Sequence, residues 1–263
     1  MNPGIARPFP ERPPEPLQAR LFRSLYRLSG RRGFLDRLLS ERLKYRRYFT
    51  SVPPQVTLPD YDAIPVSVRQ TPEGLWASPL IDVVVVVKAA VGFQAKRILE
   101  VGSYRGYTAR MIAENTPDDT RIWTLDVDPR HGAAYADSPV RTKIERLVGR
   151  ATLELAGAGA PYDLIFIDAD HDFQSAAEHT LLAWQLLAPG GVVLWHDYRH
   201  DTYFQGGCQV PEAIEAARGG RDVVAIEGTL LAMHCSRPGW ESGAVAARYR
   251  ANPDPIWGGG ADG

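Results

Sequence analysis

The 263-residue chain has a nearly balanced charge, with 30 basic and 31 acidic side chains. This balance gives no overall attraction for nucleic acid or for a membrane surface, so we expect a small-molecule partner and no nucleic acid. Only two cysteines occur, Cys208 and Cys235, without a CxxC pair or a Cys/His ladder. This cysteine usage is typical of a reduced, cytoplasmic protein.

The N-terminal part of the chain predicts an extension rather than a core. Met1–Pro16 is rich in proline and charge and lacks the apolar stretch of a secretory signal. Residues 18–49 carry ten Arg or Lys with leucines at near-helical spacing, which predicts two short basic amphipathic helices. These helices either bind an anionic substrate or lipid, or pack on the domain or on a second subunit as an oligomer contact. The proline-rich Ser51–Ala77 predicts a linker or lid.

A helix is expected through about Phe93, with Ser78 as its N-cap and Pro79 in its first turn. The apolar run Leu80–Phe93 contains Asp82 and Lys88 and is shorter than the roughly 20 residues that cross a bilayer. No transmembrane segment is therefore expected.

After Lys96 short apolar runs alternate with helical stretches, a pattern typical of βαβ units. It predicts an α/β, Rossmann-like, doubly wound, seven-stranded and mostly parallel sheet over residues 78–240. An N-terminal helical extension (1–77) precedes this domain and a tail (241–263) follows it. The predicted strands are 97–101, 121–125, 143–148, 164–167, 192–195, 223–226 and 230–234, and the helices between them are 107–115, 129–136, 173–187 and 211–218.

The segment Glu100–Thr108 takes the first strand through a glycine turn into a helix. Gly102 and Gly106 allow the backbone to approach a ligand closely, and the amides at a helix N-terminus can face an anionic group. A dinucleotide fold would have G-x-G-x-x-G here, but this chain has E-x-G-x-x-x-G.

This loop resembles the first motif of class I S-adenosylmethionine-dependent methyltransferases, whose acid helps to hold the cofactor's ammonium group. The resemblance implies cofactor contacts at Glu100, Gly102, Ser103, Gly106 and Thr108. Asp126, at the end of the second strand, is similar to the family's ribose-binding acid, with Asp128 and Pro129 starting a helix; both aspartates could instead simply cap that helix. Adenine contacts are implied at Gly149, Arg150 and Ala151.

Polar clusters follow two further strands. Asp168, Ala169, Asp170 and His171 come after one apolar strand, and His196 and Asp197 come after the next. Because open α/β sheets bind ligands at the carboxyl ends of their strands, both clusters are expected beside the cofactor.

These clusters are similar to those of metal-assisted O-methyltransferases of the catechol, caffeoyl-CoA and macrocin types. The resemblance implies Asp168 and Asp197 as metal ligands, His196 as a further ligand, His171 as the base, and Asp168 also beside the cofactor. Carboxylates suit Mg²⁺, and a cation or a neutral imidazole would activate a hydroxyl toward the methyl sulfonium. The family has an acid followed by an acid or amide after the fifth strand, whereas this chain has His196–Asp197. The departure leaves open a borderline metal, no metal, or a His196 that only hydrogen-bonds at the sheet edge.

The sequence therefore predicts a methyltransferase acting on a hydroxyl of a small molecule such as a natural product, sugar or phenol. The alternatives are a metal-independent O- or N-methyltransferase and a non-catalytic cofactor-binding module. A nicotinamide-dependent oxidoreductase is disfavoured by the missing G-x-G-x-x-G.

Overall fold

A computed structural model describes residues 64–198 and 208–237, together with the backbone of residues 55–56. The predicted helices at 18–49 and the tail 241–263 lie outside the described residues.

The described chain forms one eight-stranded sheet. Its strands are β1 (Gln55–Val56), β2 (Arg97–Val101), β3 (Arg121–Asp126), β4 (Ile144–Val148), β5 (Tyr162–Ile167), β6 (Leu187–Trp195), β7 (Val224–Ile226) and β8 (Ala232–Cys235). The order across the sheet is β1-β7-β8-β6-β5-β2-β3-β4. Among the described strands, only β8 runs antiparallel to its neighbours β6 and β7. The seven predicted strands are confirmed as β2 to β8, and β1 is an additional parallel partner of β7 in the predicted linker.

Helices cover both faces of the sheet. They are α1 (Leu80–Gly92), α2 (Tyr107–Asn115), α3 (Ala133–Ala136), α4 (Leu153–Ala156), α5 (Phe173–Leu186) and α6 (Val210–Ala217), with 3₁₀ turns at Pro139–Lys143 and Gly157–Gly159. Successive residues of a strand point to opposite faces. Ile98 accordingly packs with α1 and α2, whereas Leu99 packs with α5 and α6. No helix of the described residues is long and apolar enough to span a membrane.

Two local predictions were wrong. Helix α1 begins at Leu80 with Pro79 as its N-cap, and the hydroxyl of Ser78 donates to Asp168 instead of capping the helix. The helix predicted from Pro129 begins only at Ala133, because Gly132 adopts a left-handed φ of +87° as its N-cap. Asp128 does not cap that helix and instead forms an ion pair with Arg130.

The turn Gly157–Gly159 contains a matched pair of glycines that tests how tightly the core is packed. A Cβ on Gly159 would lie 2.4 Å from the Trp123 ring, whereas a Cβ on Gly157 would lie 3.8 Å from Leu186. We expect Gly159→Ala to lower the free energy of unfolding by about 1–3 kcal/mol through overpacking. Gly157→Ala should leave it unchanged or raise it by about 0.4–1 kcal/mol. Urea unfolding of both variants measures the difference, and equal free energies would contradict the packing described.

Candidate functional site

Five parallel strands, β2 to β6, end at the same edge of the sheet, and a cavity of about 1110 Å³ opens there. Ligand sites of open α/β sheets form at this edge. The cavity wall brings together nine of the residues singled out from the sequence: Gly102, Asp126, Gly149, Arg150, Ala151, Asp168, His171, His196 and Asp197. Three others, Ser103, Gly106 and Thr108, line a smaller adjoining cavity of about 40 Å³.

The glycine loop after β2 packs directly on the end of β5. Gly102 has a φ of +94°, and a Cβ there would lie 1.9 Å from the carbonyl oxygen of Asp168, so no other residue fits without backbone movement. Gly106 has a φ of +83° and is the N-cap of α2. The left-handed region is open to glycine at no steric cost, which explains both positions.

Asp126 holds the same loop in place. Its Oδ2 accepts hydrogen bonds from the backbone N–H groups of Ser103 at 3.1 Å and Tyr104 at 2.8 Å. Its Oδ1 accepts the N–H of Asp128 at 2.9 Å. Hydrogen bonds from neutral donors to a carboxylate are charge-assisted and short. The carboxylate that sequence comparison assigns to the ribose therefore also fixes the shape of the glycine loop.

Asp168 and Asp197 approach one another through the side chain of His196. The Ser78 hydroxyl donates to Oδ2 of Asp168 at 2.5 Å, and Oδ1 of Asp168 lies 3.2 Å from Nδ1 of His196. Oδ2 of Asp197 also lies 3.2 Å from this Nδ1. Nδ1 is buried and forms a well-aligned hydrogen bond with neither carboxylate. On the other side of the ring, Nε2 of His196 lies 2.9 Å from Oδ2 of Asp82.

His171 completes the cluster, with its Nε2 at 2.6 Å from Oδ2 of Asp197. The hydrogen bond to Asp197 raises the pKa of His171 above its ordinary value, although partial burial opposes this. Burial alone would raise the pKa of Asp197, but the hydrogen bond from His171 and the charges of the two imidazoles hold it below its ordinary value. Burial lowers the pKa of His196, yet the surrounding carboxylates outweigh burial and raise it.

A backbone irregularity lies at the centre of the cluster, because Asp197 has a left-handed φ of +58°. Such a conformation is uncommon outside glycine and is tolerated best by asparagine and aspartate. Ligand atoms of Asp168, His171 and Asp197 all lie within 4.8 Å of one another, which is a spacing suited to one metal ion. His196 is not part of that group, and its Nε2 faces Asp82.

The chain resembles known proteins over this region. A family model described as a methyltransferase domain matches residues 99–198. The catechol O-methyltransferase of Mycobacterium tuberculosis (strain ATCC 25618 / H37Rv) is 30% identical over 161 residues, which cover 59% of this chain and 67% of the relative. The catechol O-methyltransferase of Niastella koreensis is 30% identical over 153 residues, which cover 53% of this chain and 68% of the relative.

The chain belongs to the S-adenosylmethionine-dependent O-methyltransferases. It is a class I methyltransferase and an enzyme. A solved structure supports the fold: the cofactor-bound protein Rv0187 from MTB is 22% identical with a TM-score of 0.50, and the match covers 68% of this chain and 87% of that one.

Three side chains of the methyltransferase site were missed by sequence reasoning. Ser78 contacts Asp168, Asp82 contacts His196, and His179 lines the large cavity with a buried Nδ1 that has no hydrogen-bond partner. A signal existed for Asp82, because an acid interrupts an otherwise apolar helix. His179 gave none, since it lies on α5 outside every motif.

Glu100 occupies a different place from the one that the motif suggests. Its side chain is 1% exposed and lines neither cavity. The Thr124 hydroxyl donates to Oε2 of Glu100, and Ser103 in turn bonds to Thr124, so the carboxyl lies beneath the glycine loop. Burial raises the pKa of Glu100 to about 8, although the bond from Thr124 opposes this. Its predicted contact with the cofactor's ammonium group stays a prediction.

A pH-dependent stability follows from this burial. Between the ordinary pKa of 4.5 and the raised value of about 8, the folded chain keeps a proton that the unfolded chain has lost, so the free energy of unfolding falls as the pH rises. Since one pKa unit corresponds to about 1.4 kcal/mol, wild type should lose about 2 kcal/mol more than Glu100→Gln between pH 6 and pH 8. Urea unfolding at both pH values measures this difference.

Parallel pH profiles for wild type and Glu100→Gln would contradict a buried, protonated Glu100. The same variant tests the motif, because glutamine keeps the acceptor for Thr124 but loses the negative charge. A loss of S-adenosylmethionine affinity in calorimetry would support the ammonium contact, whereas unchanged affinity would favour a purely structural role beneath the loop.

Proposed function

We propose that the enzyme transfers the methyl group of S-adenosylmethionine to a hydroxyl of a small molecule, with His171 as the base and a divalent cation at the acidic cluster. One observation carries the proposal: the glycine-loop side and the Asp168–His171–Asp197 cluster line the same cavity. A methyl donor bound at one end and an acceptor bound at the other would therefore be held close to one another.

The cofactor end of the cavity follows from the motif matches. We propose that the backbone of Gly102, Ser103, Gly106 and Thr108 faces the methionine part, that Asp126 binds the ribose, and that Gly149, Arg150, Ala151 and Asp168 surround the remaining groups. Glu100 supports the loop from below. Asp126 already accepts three backbone N–H groups, so cofactor binding at this carboxylate would be coupled to the shape of the loop.

His171 is proposed as the base on the evidence of its geometry. Its side chain is 36% exposed and lines the cavity, and its Nε2 faces Asp197 at 2.6 Å. If Nε2–H is donated to Asp197, the lone pair of the neutral ring is on Nδ1, which would take the proton of the hydroxyl. The oxygen then forms its bond to the methyl carbon while the carbon–sulfur bond breaks, leaving S-adenosylhomocysteine and a protonated His171.

The residues present fit a divalent cation, which Asp168 and Asp197 would hold with imidazole nitrogen completing the set. Ligand atoms of Asp168, His171 and Asp197 converge within 4.8 Å. Because His171 is proposed as the base, the nitrogen of the set would be Nδ1 of His196, which lies 3.2 Å from one oxygen of each aspartate. Carboxylates suit Mg²⁺, while nitrogen shifts preference toward borderline metals. A bound cation would supply Lewis-acid activation of the acceptor hydroxyl.

The acceptor is proposed to be a natural product, sugar or phenol. Leu75 and Trp76 are 85% and 71% exposed and line the cavity, so its rim suits an acceptor with an apolar body.

We also propose a cytoplasmic location, no nucleic-acid partner, a catalytic unit at 78–240 between extensions 1–77 and 241–263, and an oligomer contact through 18–49. Mass spectrometry with isotope-labelled cofactor and a panel of phenols, sugars and polyols tests the activity, and no transfer to any hydroxyl would count against it.

The role of His171 can be tested with the best acceptor from that panel. We expect His171→Ala to lower kcat about 10²- to 10⁴-fold with little change in S-adenosylmethionine affinity, because general-base contributions have this size. His234→Gln is the control, since His234 bonds to the Asp222 carbonyl and lines neither cavity. Normal turnover by His171→Ala would rule out His171 as the base. Activation of the hydroxyl by a cation, or proximity of the two substrates, would then explain the activity.

The cation is tested separately by removing it. Treatment with EDTA followed by gel filtration should abolish turnover, and adding back Mg²⁺ or Mn²⁺ should restore it. Asp168→Asn or Asp197→Asn should raise the metal concentration needed for half-maximal activity, because each variant loses a charged ligand. Full activity of the metal-free wild type would support the metal-independent alternative.

A further inference from the structure

Asp82 is a buried acid on helix α1, whose other residues are apolar except Lys88 and Gly92. It lies in the first turn of α1 and is 1% exposed, next to the fully buried Val83 and Val86. Burying a carboxylate is costly unless it is paired and hydrogen-bonded. A valine or leucine at this position would continue the apolar pattern of the helix, so the acid needs an explanation from its contacts.

Both oxygens of Asp82 contact groups at the active-site edge of the sheet. Oδ2 lies 2.9 Å from Nε2 of His196, which follows β6, and Oδ1 accepts the backbone N–H of Leu230 at 3.3 Å. Leu230 and His196 both line the large cavity. The carboxylate thus sits behind the cavity wall, on the side of His196 that faces away from Asp168 and Asp197.

We propose that Asp82 is a positioning residue of the site: by accepting a hydrogen bond from the Nε2–H of His196, it directs Nδ1 of the same ring toward Asp168 and Asp197 as a nitrogen ligand for a divalent cation. Only the part of this inference that concerns the cation rests on the proposed function. The orientation of the ring is a property of the protein without any ligand.

The geometry of the ring supports this assignment. Nδ1 lies 3.2 Å from one oxygen of each aspartate, yet it forms an aligned hydrogen bond with neither. A nitrogen directed between two carboxylates in this way matches a coordination set more closely than a hydrogen-bond pair. Histidines that bind metals commonly donate their other ring N–H to a carboxylate, which fixes the tautomer and the ring orientation.

The contacts of Ser78 also support a positioning role for the start of α1. Ser78 and Asp82 lie four residues apart, before and within the first turn of α1. The Ser78 hydroxyl holds Asp168 at 2.5 Å while Asp82 holds His196. One short segment therefore contacts side chains at the ends of both β5 and β6. Ser78 lines the large cavity, whereas Asp82 lines neither cavity and orients His196 from behind the wall.

A nitrogen in the set has a consequence for the choice of metal. Mg²⁺ prefers oxygen ligands, whereas later first-row ions such as Co²⁺ accept imidazole readily. Asp82 should therefore contribute to Co²⁺ binding and contribute little to Mg²⁺ binding. A carboxylate that only docks α1 on the sheet would affect stability without distinguishing between these ions.

The test is a titration of the full-length chain with Co²⁺. Calorimetry and the visible absorption of the ion both detect the binding. We expect Asp82→Asn to weaken Co²⁺ binding about 10- to 100-fold, the usual effect of removing the partner of a metal-binding histidine. Mg²⁺ affinity, S-adenosylmethionine affinity and melting temperature should change much less. Asp119→Asn is the matched control, because Asp119 is an exposed acid paired with Lys96.

A double-mutant cycle shows whether Asp82 acts through His196. In a His196→Ala background, Asp82→Asn should have no further effect on Co²⁺ binding. An equal loss in both backgrounds, or no loss in the wild-type background, would overturn the proposal.

A metal-free measurement separates this inference from the proposed function. In ¹⁵N-histidine-labelled wild type, NMR should show hydrogen on Nε2 of His196, with the signal assigned by its absence in His196→Ala. Hydrogen on Nδ1 alone would overturn the proposal even if the variants failed to fold. If the metal-free wild type carries hydrogen on Nε2 of His196 but binds no Co²⁺, the proposed ring orientation is confirmed and the proposed cation ligand is wrong.

Discussion

The glycine loop after β2 packs backbone against backbone on the end of β5. Gly102 approaches Asp168 so closely that an added Cβ would lie 1.9 Å from the Asp168 carbonyl oxygen. Backbone hydrogen bonds on either side fix this approach, from Asp168 N–H to the Val101 carbonyl and from Gly102 N–H to the Leu125 carbonyl, both at 2.8 Å. The loop proposed to face the cofactor and the strand that carries Asp168 are thereby joined without an intervening side chain. The two halves of the cavity meet at this junction.

A second constraint is the density of carboxyl groups at this edge of the sheet. The charge of Asp126 is stabilised by three backbone N–H groups, Glu100 keeps its proton, and Asp82, Asp168 and Asp197 lie beside imidazoles. Like charges brought together in a partly buried site raise each other's pKa unless such partners exist. The fold thus holds the acids in place before any ligand arrives, which is the preorganisation that electrostatic catalysis requires.

Much of this organisation could be predicted from local sequence. The strands from β2 onward follow from continuous apolar runs, and residues that follow parallel strands must share an edge, which is why Asp126, Asp168 and Asp197 were expected together. Contacts between distant segments could not be predicted in the same way. Asp82 and His196 are 114 residues apart, and the docking of α1 that joins them leaves no periodic signal. Glu100 matched its motif in spacing, but the layer in which its side chain lies depends on Thr124 of the neighbouring strand.

The left-handed backbone of Asp197 has a consequence for how this site could have varied. Aspartate and asparagine are the residues besides glycine that adopt this region most readily, because their short polar side chains can bond locally to the backbone. Related enzymes carry an acid or an amide as the second member of the pair that follows the fifth strand, and Asp197 is the matching position here. The backbone conformation therefore restricts which residue types fit at position 197, independently of any ligand. His196, the first member of the pair, has no left-handed backbone, so this restriction applies to Asp197 alone.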